Sequence, residues 1–245
     1  MPATPSSQRG TAGSAQNYSR LISTFGPGTT EVTDQAPFVA ADVLDKVGVL
    51  CMLAIVTGIG AAVVSLPTGV LVIAFLAAFG FSIAGLLRPA KAHLFAPLYA
   101  LSVGVALGGI SKFYANGRGS VVPLAIIGTA AIFLAVLVAY RTGLVRVGTR
   151  FIQVTVITGF GVLAMGLAVW LGIPLPGTSS GSGSFVILFV AYLVFGVMGL
   201  FVDFNFAYMA EKAGVSKDGE WFAALSIMTS LVLIYLSLLR ILGRR

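Results

Sequence analysis

The sequence is poor in charge, cysteine and histidine, and each shortage excludes a class of protein. Only 9% of its 245 residues are charged. A soluble domain carries about 25%, so this chain cannot build a water-facing surface around a core. The one cysteine, Cys51, has no partner for an intrachain disulfide. The one histidine, His93, lies in a polar loop without further metal ligands, so we expect no metal site there.

Sequence motifs of common enzymes are missing as well. The chain has no G-x-S-x-G, no H-E-x-x-H, no Walker sequence and no pair of cysteines. We therefore expect that the protein is not an enzyme and has no cofactor. The net charge of +7 comes from basic residues scattered singly in short loops, which does not predict a nucleic-acid partner.

What the sequence has is hydrophobic residues, 58% of the total, arranged in seven long runs. Apolar runs of about 20 residues are typical of transmembrane helices. The runs lie near Val47–Leu66, Thr68–Leu87, Ala96–Tyr114, Val121–Tyr140, Phe151–Gly172, Phe185–Ala210 and Trp221–Ile241. They predict an all-α polytopic membrane protein whose partner is the lipid bilayer.

The chain before the first run differs in composition from everything that follows. Residues 1–41 are rich in Ser, Thr, Gly, Gln and Pro and bury too little apolar surface to offset the entropy of ordering. We predict a disordered tail over 1–41, which is not a cleavable signal peptide, and a transmembrane domain over 42–245. The segment Pro174 to Ser184 is predicted to be a flexible polar loop.

The distribution of Lys and Arg predicts the orientation in the membrane. With the N-terminus inside, ten of the 15 basic residues lie on the inner side and five on the outer side. Basic loops stay in the cytoplasm, so we expect a cytoplasmic N-terminus, with Arg141–Arg150 as the strongest indication. Arg244 and Arg245 argue against it, and a last run that does not fully cross would remove that conflict.

Asp203 is the only carboxylate within an apolar run, and charge at such a position usually serves a function. Its neighbours at helical spacing are small, which predicts that another helix approaches closely on this face. The stripe consists of Gly196, Gly199, Asp203, Ala207 and Ala210.

The last run carries a matching stripe of small residues, namely Ala223, Ser226, Ser230 and Ser237. If the chain turns near Val215, Asp203 lies level with residues 227–230, so we predict that it faces serine hydroxyls as an ion or proton site. The candidate residues are Asp203, Asn205, Ser226, Ser230 and Glu220. The alternative is a structural role, in which Asp203 bonds Asn205 or Ser and Thr groups and fixes the packing.

Other polar residues are weaker candidates. Asp218 and Glu220 suit a helix N-terminus electrostatically, although Glu220 could also line a cytoplasmic mouth. Asp42, Asp45, Lys46 and Trp221 are expected at the interface, and Lys112 and Arg240 are expected to extend toward it. Gly104 and Gly108 form a G-x-x-x-G, a weak packing signal that abundant glycine would produce by chance.

The C-terminal part of the sequence resembles the Bax inhibitor-1 family, the transmembrane Bax-inhibitor-motif proteins, in a bacterial branch. The resemblance rests on FVDFN at 201–205, GEW at 219–221 and SLVLIYLSLLRIL at 230–242. It implies a seven-helix bundle with the last helix central. It also implies a pH-sensitive calcium leak, with two facing acids on the sixth and seventh helices. Asp203 matches the first acid, but no carboxylate stands near Ser230, where the second is expected.

Two functions follow from the resemblance and the residues together. The first is a cation leak channel or exchanger-like protein in a bacterial inner membrane, with calcium or protons as partners and calcium present only as the transported ion. The alternative is a non-transporting regulator that binds another membrane protein, such as a membrane protease or a stress-response factor.

Overall fold

Seven α-helices account for the regular structure of the described residues. A computed structural model describes residues 38–64, 66–115, 120–145, 147–170 and 183–243. The helices are α1 (Ala40–Val64), α2 (Thr68–Leu87), α3 (Ala92–Ala115), α4 (Val121–Arg141), α5 (Thr149–Trp170), α6 (Gly183–Lys212) and α7 (Asp218–Leu242), with a 3-10 turn at Pro89–Lys91. Each α-helix corresponds to one predicted run, so the all-α prediction is confirmed.

Six of these helices are long and apolar enough to cross a membrane, and α5 is a further helix of 22 residues. Their outer surface is apolar. Val63, Ile73 and Phe160, on three different helices, are 76%, 67% and 69% exposed. In water such a surface would drive aggregation, whereas in a bilayer it faces lipid. The protein is therefore an integral membrane protein in contact with the bilayer.

Two predicted boundaries move. The tail predicted over 1–41 lies outside the described residues up to residue 37, but Phe38 is only 2% exposed and α1 begins at Ala40. The helical domain thus starts before residue 42. The loop predicted from Pro174 to Ser184 lies outside the described residues up to 182, and Gly183 and Ser184 already belong to α6. The sequence places both helix starts too late because it relies on the hydrophobic runs, and helices extend into polar flanks.

The last helix is the centre of the bundle. α7 packs against α1, α2, α3, α4 and α6, while α5 packs mainly on α6. Half of the most apolar stretch of α7 is buried, compared with 11% for α2. This confirms the predicted central position, with five helices directly around α7. α7 is also one continuous helix of 25 residues, or about 37 Å at the usual rise per residue, which is enough to cross a bilayer.

The first and third helices touch through glycine. A side chain at Gly108 would collide with the backbone of Gly58, and one at Gly104 would collide with the backbone of Ala54. Small residues at this spacing let two transmembrane helices approach closely. The G-x-x-x-G spacing, a weak packing signal in the sequence, thus marks a helix contact.

Candidate ion and proton site

Asp203 lies on α6, 8% exposed, on the face that packs against α7. The small residues of its stripe set the distance between the two helices. A Cβ atom at Gly196 would lie 2.8 Å from Cγ1 of Ile234, and one at Gly199 would lie 2.9 Å from Oγ of Ser230. Because the backbones approach this closely, a short aspartate side chain can reach across to α7.

Two serines of α7 hold the carboxylate. The Ser226 hydroxyl donates to Oδ1 of Asp203 at 2.5 Å, and the Ser230 hydroxyl donates to Oδ2 at 2.7 Å. The serines are four residues apart and therefore lie on one face of α7. The sequence predicts that Asp203 faces these serines if the chain turns near Val215, and the structure shows this pairing.

The serine hydroxyls suit either protonation state of the acid. An ionised carboxylate accepts from both hydroxyls, as seen here. A protonated carboxyl would donate to one serine, since a hydroxyl both donates and accepts. The cluster can therefore gain or lose a proton without leaving a carboxyl oxygen unpaired, a property that a lysine ammonium, which only donates, would not give.

Asn205 and Glu220, predicted as members of the same site, lie elsewhere. Asn205 is buried at 7% exposed, but it follows Asp203 by two residues, which turns its side chain about 200° around the helix. Glu220 precedes Ser226 by six residues, about 9 Å along α7. Of the five candidate residues, the structure therefore brings together Asp203, Ser226 and Ser230.

Glu220 forms a second polar cluster of its own. Its carboxylate is 0% exposed and makes an ion pair with Lys46 of α1. Its Oε1 accepts a hydrogen bond from the backbone N–H of Val39 at 3.0 Å. The Lys46 ammonium also lies 5.6 Å from the centre of the Trp221 ring, within the range of a cation–π interaction. The Glu220 side chain is thus buried and does not line an open cytoplasmic mouth. Lys46, which the sequence predicts at the interface, is its ion-pair partner.

Three further polar residues contact backbone or aromatic groups. Lys112 donates to the carbonyl of Ala62 at 2.8 Å, and Arg240 lies 5.5 Å from the centre of the Phe189 ring. The Ser237 hydroxyl, on the predicted serine stripe, donates to the carbonyl of Leu233 in its own helix at 2.8 Å. Among the residues that the structure describes, no three His, Cys, Asp or Glu side chains group as metal ligands.

The fold and this cluster together define a class: a polytopic α-helical membrane protein with an ionisable group buried against its central helix. A comparison with known families makes the class specific. The chain matches the family described as Bax inhibitor 1 like over residues 4–244, nearly its whole length, and it belongs to that family. No curated protein matches the chain.

Proposed function

We propose that the protein conducts cations across the membrane, as a leak channel or in an exchanger-like manner, and that the protonation state of Asp203 controls this flux. The observation that carries the proposal is the pair of hydrogen bonds from Ser226 and Ser230 to the two oxygens of Asp203. A buried acid in a membrane helix is costly and is usually retained for a function in ion or proton movement.

The proposed mechanism follows from the two states of the acid. Ionised Asp203 attracts a cation and weakens the α6–α7 contact when the serines turn toward that cation. Protonated Asp203 carries no charge and keeps the helices together through ordinary hydrogen bonds to the same serines. Flux should therefore be greater at the higher of two pH values that bracket the transition.

Calcium is the proposed ion, and the cluster suits conduction of calcium better than tight binding of it. Asp203, Ser226 and Ser230 offer two carboxylate and two hydroxyl oxygens, whereas bound calcium takes about six to eight. The missing ligands would come from water. A site that holds an ion weakly allows it to leave again, which conduction requires.

Ser230 stands where the family resemblance leads us to expect a second acid. We propose that the switch in this chain depends on one carboxylate, with a hydroxyl in place of its partner. We further propose that the protein lies in a bacterial inner membrane with the start of α1 on the cytoplasmic side, because the basic loops favour that orientation.

The test is calcium flux into liposomes that contain the purified protein and an enclosed calcium dye, at two pH values. We expect flux with wild-type protein, greater at the higher pH. Asp203→Asn should retain the fold and lose the pH dependence. Asp218→Asn, which removes an exposed acid at the start of α7, is the matched control and should behave as wild type.

Two results would count against the proposal. A wild-type pH profile in Asp203→Asn would make Asp203 a packing residue and place any sensor elsewhere. No flux at either pH, with folded protein in the liposomes, would instead favour the regulator that binds another membrane protein.

A further inference from the structure

The chain just before and within the first two turns of α1 is fastened to the N-terminal end of the central helix. We name residues 38–46 the strap. Phe38 donates its N–H to the carbonyl of Val215 at 3.1 Å, in the turn between α6 and α7. The Phe38 ring packs beside Gly219, where an added Cβ would lie 3.5 Å from Cδ2 of the ring. The strap therefore covers the turn that leads into α7.

Glu220 anchors the strap at two points. One oxygen accepts from the N–H of Val39, and the other pairs with Lys46, seven residues further along the strap. Both oxygens of a fully buried carboxylate are thus occupied by the strap. An ion pair in such a place is costly to break, because the partner left behind is a buried charge without compensation.

We propose that the strap is a gate. The pairing of Glu220 with Lys46 holds the contact between α1 and α7, which we name the seam, closed at this end of the bundle. Release of this pairing lets water into the seam. That an open seam also admits the cation to Asp203 rests on the function proposed above. The proposal that the seam is closed does not rest on that function, because it follows from the contacts of Glu220.

The seam contains a native reporter. Cys51 lies five residues beyond Lys46 on α1, about 7.5 Å deeper along the helix. Its Sγ lies 3.9 Å from Sδ of Met228 on α7, so the thiol stands between the two helices. Because it is the one cysteine of the chain, its modification can be followed without introducing another.

The experiment measures how fast a charged, membrane-impermeant methanethiosulfonate modifies Cys51 in nanodiscs, read by intact mass. In Glu220→Gln and Lys46→Gln we expect modification to be faster by roughly tenfold or more, because each change breaks the buried pair. Lys46→Arg keeps the charge and should stay close to the wild-type rate. Asp218→Asn and Lys217→Gln alter exposed charges at the same helix end and should leave the rate unchanged.

Val39→Pro covers the case in which the charge variants do not fold. It removes one N–H donor to Glu220 without leaving a buried charge unpaired, and it should also speed modification. Wild-type rates in every strap variant that folds would overturn the gate. Equally fast modification of Cys51 in Asp218→Asn would also overturn the gate, because any change of charge at this helix end would then have the same effect.

A parallel flux measurement separates the two proposals. Faster modification of Cys51 with no calcium flux supports the gate and counts against the cation function. A flux that depends on Asp203, with Cys51 equally protected in all strap variants, supports the cation function and overturns the gate.

Discussion

Gly199 of α6 lies directly against Ser230 of α7, so that a Cβ atom at Gly199 would stand 2.9 Å from the Ser230 hydroxyl oxygen. That hydroxyl is one of the two donors to Asp203. The absence of a side chain at residue 199 therefore determines whether the carboxylate keeps both of its hydrogen bonds.

Gly199→Ala should displace Ser230 and weaken its bond to Asp203. Overpacking of this kind costs about 1–3 kcal/mol, and we expect a lower midpoint of thermal unfolding in detergent. Gly80→Ala is the control, because no atom lies within 4 Å of a Cβ built at Gly80. An alanine at residue 199 that left the unfolding midpoint as it is would mean that the helices separate without penalty.

Ser226→Ala and Ser230→Ala should each destabilise the protein, since each leaves one oxygen of buried Asp203 without its donor. Loss of a hydrogen bond to a charged group costs about 1.5–3 kcal/mol. Ser237→Ala removes a hydroxyl that is more deeply buried but bonds only to the backbone of its own helix, and it should cost less. Thermal unfolding of the three variants side by side gives the comparison, and equal losses would argue that Asp203 gains nothing from its serines.

Gly108→Ala should disrupt the contact of α1 with α3, because the added methyl would collide with the backbone of Gly58, which cannot turn aside as a side chain can. We expect less folded, monodisperse protein after solubilisation and a loss of about 1–3 kcal/mol in stability. Gly60 lies two residues from Gly58 on α1, and no atom lies within 4 Å of a Cβ built there, so Gly60→Ala should be tolerated. If both variants gave the same yield, the close approach of the helices would not contribute to stability.

Reporter fusions should give the orientation of the bundle. A fusion between α4 and α5 should report the cytoplasm and one between α5 and α6 the opposite side, because the basic residues around Arg141 and Arg150 favour the cytoplasm. The reverse pattern would place the start of α1 outside and would overturn the proposed orientation.

The Asp203 cluster could be predicted from the sequence because its information is local. The small residues around Asp203 repeat at helical spacing, and a short turn fixes which residues of α7 stand level with it. The pairing of Lys46 with Glu220 could not be predicted in this way. The two residues are 174 positions apart, and no periodicity in either helix indicates that the start of α1 meets the start of α7.

The contact of Gly58 with Gly108 escaped prediction for a different reason. The chain has 30 glycines, so glycine spacing alone does not separate a helix contact from coincidence. Asn205 shows the converse limit: proximity in sequence to Asp203 suggested a shared role, whereas two residues along a helix lead to a different face.

The position of α7 imposes an order on the biogenesis of the protein. The helix that fills the middle of the bundle leaves the ribosome after the six helices ahead of it, as the order of the helices requires. Until it arrives, Asp203 stands in the bilayer without Ser226 or Ser230, and the nascent chain presents an uncompensated acid to lipid. Arrival of α7 then completes the hydrogen bonds and the core in one step. A chain stalled before residue 218 would therefore carry an unassembled membrane helix with an unpartnered acid, the kind of defect by which membrane quality-control proteases can distinguish an unfinished bundle from a finished one.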